Sequence, residues 1–336
     1  MRYRALGKTG LNISVVGFGG IPIQRTTREK TKDVIIRSEE LGINFIDTAR
    51  GYGVSEEYIG YSLEGRRDRW IIATKSMARD KEAMMKDINT SLNNLKTDYI
   101  DLYQIHNVKT IEDLEFVLSE KGAYKALEEA KLEGKIGHIG LTSHSLDLLE
   151  HAIELDKFET IMYPYNIVEN QADKLFTRCV ELNIGVIAMK PMAGGAITNG
   201  KLALKYILSN HNINVAIPGM ANLEEVEENA LVGSGNIEMT KEDIKECNDI
   251  KNRLGSVFCR RCGYCGPCPQ GIDIPTIFIF SGYKERYGLG DWAEERYFTM
   301  KKRARDCVRC GICETRCPYD LPIRDMLEKV NKVFGE

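Results

Sequence analysis

Between residue 15 and about residue 235, short apolar runs alternate with longer amphipathic stretches. Eight runs have the length and β-branched composition of strands, at 15–18, 44–47, 70–75, 100–106, 138–142, 160–163, 185–189 and 214–218. Helices are predicted between them at 33–41, 82–95, 114–133, 146–155, 172–182, 202–209 and 223–231. This alternation predicts a parallel sheet, and eight repeats predict closure into a (β/α)8 TIM barrel. An open doubly wound sheet is the alternative on pattern alone.

The segments that flank this region have patterns of their own. Residues 2–14 contain a turn signal at 7–10, and they predict a short hairpin that plugs the barrel floor. Residues 236–258 predict a helix and a connector. The remainder is rich in Gly, Pro and Cys, with helical pieces near 274–280, 292–304 and 323–334. We therefore predict two domains, over residues 1–255 and 256–336.

Composition and charge exclude several classes of function. The chain has 336 residues and a formal net charge of −3, so no global basic surface indicates binding to nucleic acid or to an anionic membrane. No stretch approaches 18 consecutive apolar residues, so a transmembrane helix is not expected. The first residues lack the apolar core of a secretory signal, and we therefore expect a cytoplasmic location.

Eight of the ten cysteines lie after residue 258. They form two groups with mostly two-residue spacing, each followed by a proline: Cys259, Cys262, Cys265 and Cys268, then Cys307, Cys310, Cys313 and Cys317. In a reducing cytosol such groups indicate metal ligation rather than disulfides. The second group has the C-x2-C-x2-C-x3-C-P spacing of bacterial ferredoxins, in which the fourth cysteine ligates the other cluster. Residues 256–336 therefore predict a mainly helical, ferredoxin-like domain.

This spacing predicts two [4Fe–4S] clusters. One is expected to be held by Cys259, Cys262, Cys265 and Cys317, and the other by Cys307, Cys310, Cys313 and Cys268. The first group has two residues rather than three before its last cysteine, which departs from the ferredoxin pattern at Cys268. Zinc is the alternative, because paired C-x2-C units also form zinc sites. Cys179 and Cys247 lie in helical patterns and are interpreted as small buried hydrophobic residues.

Four polar residues of the barrel lie at or just after predicted strand ends, where such barrels carry their catalytic residues: Asp47, Tyr52, Lys75 and His106. The chain resembles the aldo-keto reductase family over about residues 1–235. The resemblance is carried by RYRALGKTGLNISVVGFGG, NFIDTARGYGVSEEYIG, IIATK, TDYIDLYQIHN and IPGMANLEEVEEN. The tail resembles that of the branch with a ferredoxin-like C-terminus.

The resemblance implies an oxidoreductase that interconverts a small-molecule carbonyl group and an alcohol. Tyr52 is expected to act as general acid toward the carbonyl oxygen, and Lys75 to lower the pKa of the phenol toward the working range. Asp47 is expected to hold Lys75 in place. His106 is expected to donate a hydrogen bond that orients the carbonyl.

The family also implies NAD(P)H, although its usual contacts are altered here. Where the family presents Ser-Asn, Gln and an aromatic residue, this chain has Thr142-Ser143, Met162 and Met189. Residues 190–195 are expected to bind the pyrophosphate through Lys190 and backbone amides, and a tight turn is the alternative interpretation of this segment. The expected cofactor contacts are Gly19, Thr142, Ser143, Met162, Met189, Lys190, Gly194, Gly219, Asn222, Glu228 and Asn229.

The position at which the family often has an arginine for the 2′-phosphate is Glu225 here. Asn222 and Glu225 form a capping-box-like pair, which is itself a sufficient reason for that glutamate. The carboxylates of Glu224 and Glu225 would repel an additional phosphate. We therefore expect NADPH to bind no more tightly than NADH, or both to bind weakly.

A hydride carries two electrons, whereas a [4Fe–4S] cluster passes one at a time, and this leaves three interpretations open. The clusters exchange electrons with the active site or with an electron-transfer partner; or they are structural or oxygen-sensing beside an ordinary carbonyl reductase; or the chain is a non-enzymatic electron-transfer or sensor protein. A flavin in the barrel mouth is the alternative to a nicotinamide. The sequence does not specify the substrate.

Overall fold

The β-branched runs form a parallel barrel in the computed structural model of the protein, which describes residues 1–255, 257–261, 263–317 and 319–336. Among these residues eight strands follow one another around the sheet in chain order. They are β3 (Phe18–Gly19), β4 (Phe45–Asp47), β5 (Ile71–Ser76), β6 (Ile100–Ile105), β7 (Ile136–Thr142), β8 (Thr160–Pro164), β9 (Gly185–Met189) and β10 (Val215–Ala216), preceded by the hairpin strands β1 (Tyr3–Ala5) and β2 (Asn12–Ser14).

The sheet closes where its first and last strands meet. The Gly17 amide donates to the Ala216 carbonyl at 2.8 Å, and the Gly19 amide donates to the Pro218 carbonyl at 2.9 Å. A Cβ at position 19 would lie 2.6 Å from the Pro218 oxygen, so only glycine permits this approach. The sheet is therefore a closed (β/α)8 barrel, as predicted, and not an open doubly wound sheet.

The N-terminal hairpin packs into the barrel floor. β1 and β2 pair antiparallel, with Tyr3 opposite Ser14. Leu6 and Ile13 are fully buried in one cluster with Phe45, Leu102 and other interior residues of the barrel. Gly185 gives Leu6 its space, since a Cβ there would lie 2.6 Å from the leucine Cδ1. The predicted plug is confirmed.

The barrel helices alternate with the strands: α1 (Arg28–Glu40), α2 (Ser55–Ser62), α3 (Lys81–Leu95), α4 (Ile111–Leu118), α5 (Ala123–Leu132), α6 (Leu146–Ala152), α7 (Asp173–Glu181), α8 (Gly200–Leu208) and α9 (Leu223–Ser234). The single helix predicted at 114–133 was wrong, because the chain turns at 119–122. A Cβ at Gly122 would lie 2.1 Å from the Val117 oxygen. Helix α2 was missed because its buried positions include Ser55 and Glu56, which disguise the apolar face.

The contacts divide the chain into two compact units. The first comprises Met1–Asn166, Asn170–Pro191 and Gly200–Met239, and the second comprises Ile167–Glu169, Met192–Asn199 and Thr240–Glu336. The second unit thus begins before residue 256 and includes two short segments that follow β8 and β9 in the chain. It contains α10 (Lys241–Leu254), α11 (Ile274–Arg286), α12 (Gly290–Thr299), α13 (Ile312–Thr315) and α14 (Ile323–Phe334).

The second unit has its own apolar core. The rings of Tyr297 and Phe334 stack with their centroids 3.8 Å apart, and Ile277 and Leu327 are buried in the same cluster. Helix α11 extends six residues beyond the predicted piece at 274–280. None of the helices in the described parts of the chain has both the length and the apolar character that crossing a membrane requires.

Candidate active site and metal centre

Two of the four strand-end residues form a buried ion pair in the barrel interior. Asp47 ends β4 opposite Ala73, and Lys75 lies two residues further along β5. Because alternate residues of a strand face the same side, both side chains point to the same face of the sheet. The Lys75 ammonium contacts the Asp47 carboxylate and donates to the Thr48 carbonyl at 2.9 Å. Gln104 Nε2 donates to the other carboxylate oxygen at 3.1 Å. The Lys75 and Asp47 side chains are 1% and 3% exposed.

The other two residues lie beside this pair. The Lys75 Nζ lies 4.9 Å from the centroid of the Tyr52 ring. The His106 ring meets the Tyr52 ring edge-on, with 6.1 Å between centroids and 87° between planes. The structure therefore brings together all four residues that the sequence singled out at strand ends. A half-buried phenol lies beside both an ammonium and an imidazole.

Burial shifts the pKa values of Lys75 and His106. It lowers the pKa of Lys75, and the adjacent Asp47 carboxylate opposes that shift. Burial also lowers the pKa of His106 well below its usual value, and the positive charges of Lys75, Arg79 and Lys190 add to this effect. His106 is therefore a neutral imidazole at physiological pH. Within the described residues, its buried Nδ1 has no hydrogen-bond partner.

Sequence reasoning missed the residue that anchors the Tyr52 loop. Glu56 is 1% exposed, and its carboxylate accepts hydrogen bonds from Arg50 at 2.7 Å, Thr74 at 2.8 Å and Ser91 at 2.7 Å. These donors come from the loop, from β5 and from α3, so no local pattern reveals the cluster. The arrangement stabilises the segment between Arg50 and Glu56, which carries Tyr52.

The residues expected to contact the nicotinamide are largely engaged within the protein. Thr142 Oγ1 accepts from the Asn107 amide at 2.7 Å, and Ser143 Oγ donates to the Val108 carbonyl at 2.6 Å. Met162 is 1% exposed and packs in the barrel interior, whereas Met189 is only partly buried against the same cluster. These side chains therefore offer a nicotinamide fewer free polar groups than the family pattern implies.

The expected phosphate contacts lie in three places. Lys190 follows β9 with a φ of 59°, and its positive charge helps to lower the pKa of His106. Gly194 belongs to the second unit, where its carbonyl accepts from Arg286 Nε at 2.9 Å. Gly19 and Gly219 pair where the barrel closes.

Asn222 caps α9 by accepting from the Glu225 amide at 2.8 Å, and the Glu225 carboxylate accepts from the Ala221 amide at 2.6 Å. Asn222 therefore caps the helix as predicted, but the Glu225 carboxylate accepts from the residue before the N-cap and not from the N-cap amide of a capping box. On the same helix Glu228 is exposed and Asn229 is nearly buried. The chain's own carboxylate thus occupies donors at this helix N-terminus.

The two cysteine groups share one local conformation. The Arg261 amide donates to Cys259 Sγ at 3.4 Å, and the Arg309 amide donates to Cys307 Sγ at 3.4 Å. Both arginines have left-handed backbone, with φ of 59° and 54°, and so do the glycines two residues later, Gly263 and Gly311. The turns therefore direct backbone N–H groups at the first sulfur of each group, which is the hydrogen bonding that clusters receive.

The second unit encloses a cavity that Cys259, Cys265 and Cys317 line together with apolar side chains that include Ile274 and Phe278. These are three of the four predicted ligands of the first cluster, and the fourth, Cys262, lies outside the described residues, as does Pro318. Thiols around an apolar cavity, with an amide N–H directed at sulfur, fit an iron–sulfur cluster.

The other predicted ligands differ in exposure. Cys313 is buried, Cys268 and Cys307 are partly buried, and Cys310 is exposed. Among the described residues no three metal-ligating side chains converge as they would around a single ion.

Comparison with known proteins agrees with both parts of this picture. The model of the aldo/keto reductase family matches residues 15–201, and that of a 4Fe-4S dicluster domain matches residues 258–322. L-galactose dehydrogenase from Arabidopsis thaliana is 29% identical over 301 residues, which is 74% of this chain and 93% of that protein. An uncharacterised oxidoreductase from Bacillus subtilis is 28% identical over 298 residues, 73% of this chain and 95% of that protein.

Among solved structures, an aldo-keto reductase from Bacillus halodurans in its holo form superposes with a TM-score of 0.67 at 26% identity. That match covers 74% of this chain and 96% of the other.

Proposed function

Because this chain belongs to the aldo/keto reductase family of oxidoreductases and carries a 4Fe-4S domain, we propose that it interconverts a small-molecule aldehyde or ketone and the corresponding alcohol, with Tyr52 as general acid. The observation that carries the proposal is the Tyr52 ring beside the buried Lys75–Asp47 pair, with His106 edge-on to it. This is the arrangement that protonation of a developing alkoxide requires.

The proton transfer follows from the side chains. As the carbonyl carbon is reduced, negative charge develops on its oxygen, and the Tyr52 hydroxyl donates a proton there. The ammonium of Lys75 stabilises the resulting phenolate, because opposite charges attract strongly away from water. Asp47 contacts the Lys75 ammonium and Gln104 donates to Asp47, so these two residues hold the ammonium in place. His106 is neutral, so it can orient the carbonyl oxygen by a hydrogen bond without competing for the proton.

A reduced nicotinamide, when bound, would supply the hydride, and the residues give NADPH no advantage over NADH. Lys190, which follows β9, is proposed to contact the pyrophosphate. Glu224 and Glu225 oppose a 2′-phosphate. Gly19 and Gly219 supply backbone without side chains, and the remaining contacts within the barrel, Thr142, Ser143, Met162, Met189, Asn222, Glu228 and Asn229, are proposed to shape the pocket.

We propose that the second unit holds two [4Fe–4S] clusters with crossed ligation. The cavity lined by Cys259, Cys265 and Cys317 supports the assignment of Cys317 to the first cluster together with Cys262. Cys307, Cys310, Cys313 and Cys268 are proposed to hold the second. Zinc lacks this support, because zinc sites use four thiolates around one ion rather than around a cavity.

Anaerobic purification tests both proposals on one sample. Eight iron atoms and eight acid-labile sulfides per chain are expected. Zinc without sulfide would refute the clusters. Reduction of an aldehyde panel with NADH or NADPH, in native and cluster-depleted protein, then tests whether the clusters take part in the reaction.

One observation favours a second candidate function. Met162 is buried in the barrel interior, and the hydroxyls of Thr142 and Ser143 are hydrogen-bonded within the protein. A flavin or an electron-transfer partner could therefore replace the nicotinamide, and the chain would then act in electron transfer or redox sensing. Aldehyde reduction driven by reduced ferredoxin or dithionite but not by NADH or NADPH would support this candidate. Identification of any tightly bound flavin in the anaerobic preparation would decide between the electron donors.

A further inference from the structure

Arg261 and Arg309 occupy the same place in the two cysteine groups. Each lies two residues after the first cysteine of its group, with the same left-handed backbone and the same amide hydrogen bond to that cysteine's sulfur. The local conformation is therefore matched, and any difference between the two guanidinium groups arises from what surrounds them.

The guanidinium of Arg261 is buried within the second unit. Its side chain is 8% exposed and forms an ion pair with Glu169, which is 1% exposed. Its Nη1 also donates to the carbonyl of Cys259 at 3.4 Å. Within the described part of the chain, no acceptor reaches its buried Nε. A buried N–H donor without a partner is costly, so it indicates an acceptor that lies outside the described part of the chain.

The guanidinium of Arg309 lies at the surface instead. Its side chain is 50% exposed, and it pairs with Asp325 at 2.7 Å and Glu328 at 3.0 Å, both of which are also exposed. Solvent screens such charges strongly, so this arginine exerts little field on neighbouring groups.

Reduction adds one negative charge to an iron–sulfur cluster, and nearby charge and hydrogen bonds to sulfur set its potential. We propose that Arg261 raises the reduction potential of the cluster ligated by Cys259, through its buried charge beside that ligand. Glu169 is the positioning residue: it holds the guanidinium in place and offsets part of its charge. This inference rests on the proposed cluster ligands and is independent of the carbonyl chemistry.

The test is a redox titration of the anaerobic full-length protein, followed by electron paramagnetic resonance without substrate. In Arg261→Gln, the one-electron reduction constant of one cluster is expected to fall at least tenfold, which is 59 mV. Arg309→Gln, the matched control, should change the one-electron reduction constant less than threefold. Glu169→Gln removes the opposing carboxylate and should raise it at least threefold, and Arg261→Lys should stay within threefold of the wild type.

The opposite signs expected for Arg261→Gln and Glu169→Gln separate this role from a merely structural one. Equal shifts in Arg261→Gln and Arg309→Gln, or none in either, would overturn the proposal. If Arg261→Gln loses iron and sulfide, Glu169→Gln decides: a raised potential supports the proposal, whereas an unchanged or lowered one assigns the pair to assembly and overturns it. Each readout is a potential measured without turnover, so an inactive Tyr52→Phe variant leaves the outcome unaffected.

Discussion

Each unit of the molecule buries one ion pair beside its candidate redox site, and the two pairs are built differently. Lys75 and Asp47 come from adjacent barrel strands, 28 residues apart, and lie beside the Tyr52 ring. Arg261 and Glu169 are 92 residues apart and join the first cysteine group to a short segment that follows β8. All four side chains are less than a tenth exposed.

The choice of cation matches the chemistry of each site. A lysine is a compact charge whose pKa responds to its surroundings, and burial lowers the pKa of Lys75. Such a group can follow the gain and loss of a proton at a neighbouring phenol. An arginine keeps its charge at any accessible pH, so Arg261 provides a constant field. The difference agrees with the proton chemistry proposed for the barrel and the electron chemistry proposed for the second unit.

The largest expected effect tests the assignment of proton chemistry to the barrel. Tyr52→Phe removes the proposed general acid, and aldehyde reduction should fall about 10²- to 10⁴-fold in kcat. The cluster potentials should remain at their wild-type values. Tyr61→Phe is the matched control, because that ring lies against Arg28, 4.3 Å away, outside the site. A Tyr52→Phe variant with near wild-type turnover would remove the proposed role.

The barrel ion pair should be strongly coupled to stability. Lys75→Met leaves the Asp47 carboxylate buried without its partner, and the free energy of unfolding should fall by about 3–5 kcal/mol. The double variant Lys75→Met/Asp47→Asn removes both charges and should recover much of that loss. Anaerobic thermal unfolding, followed by circular dichroism, measures both. Equal stability of the single and double variants would show that the pair is not coupled.

Cofactor preference is a smaller effect, set by charge at the start of α9. Glu224→Gln/Glu225→Gln keeps oxygen acceptors for the helix cap but removes two negative charges. NADPH affinity should rise about three- to tenfold relative to NADH, as expected for exposed charges near a phosphate. Glu112→Gln, which removes one carboxylate from the first turn of α4, is the position-matched control. Wild-type protein that binds NADPH tenfold more tightly than NADH would contradict the expectation.

The smallest expected effect concerns how the activity of a His106 variant, relative to the wild type, depends on pH: this ratio should stay constant. Because burial lowers the pKa of His106, the imidazole stays neutral as the pH falls through the range in which histidine usually gains a proton. His106→Gln should therefore reduce turnover by the same factor at every pH from about 5.5 to 8. A ratio of wild-type to variant activity that changes around pH 6.5 would show instead that His106 titrates in its ordinary range.

Sequence reasoning identified the candidate catalytic side chains but not the residues that hold them in place. The positions of Asp47, Lys75 and His106 follow from strand ends, because parallel strands end at one face of a barrel. Glu56, Glu169 and the buried state of Arg261 could not be predicted, since their partners come from elements distant in the chain. Helix α2 was missed for a related reason, because polar residues occupy part of its buried face.

The sequence by itself determined the closed barrel, the hairpin plug and the presence of a cysteine-rich iron–sulfur region, because these depend on periodicity and local spacing. Only the tertiary structure distinguished Arg261 from Arg309, which occupy the same place in the two cysteine groups. Burial depends on what packs over a side chain and not on its neighbours in the chain. It also decided that Met162 lies in the core and that the Thr142 and Ser143 hydroxyls are engaged. Local chemistry is a property of short segments, whereas the field that tunes it is a property of the folded molecule.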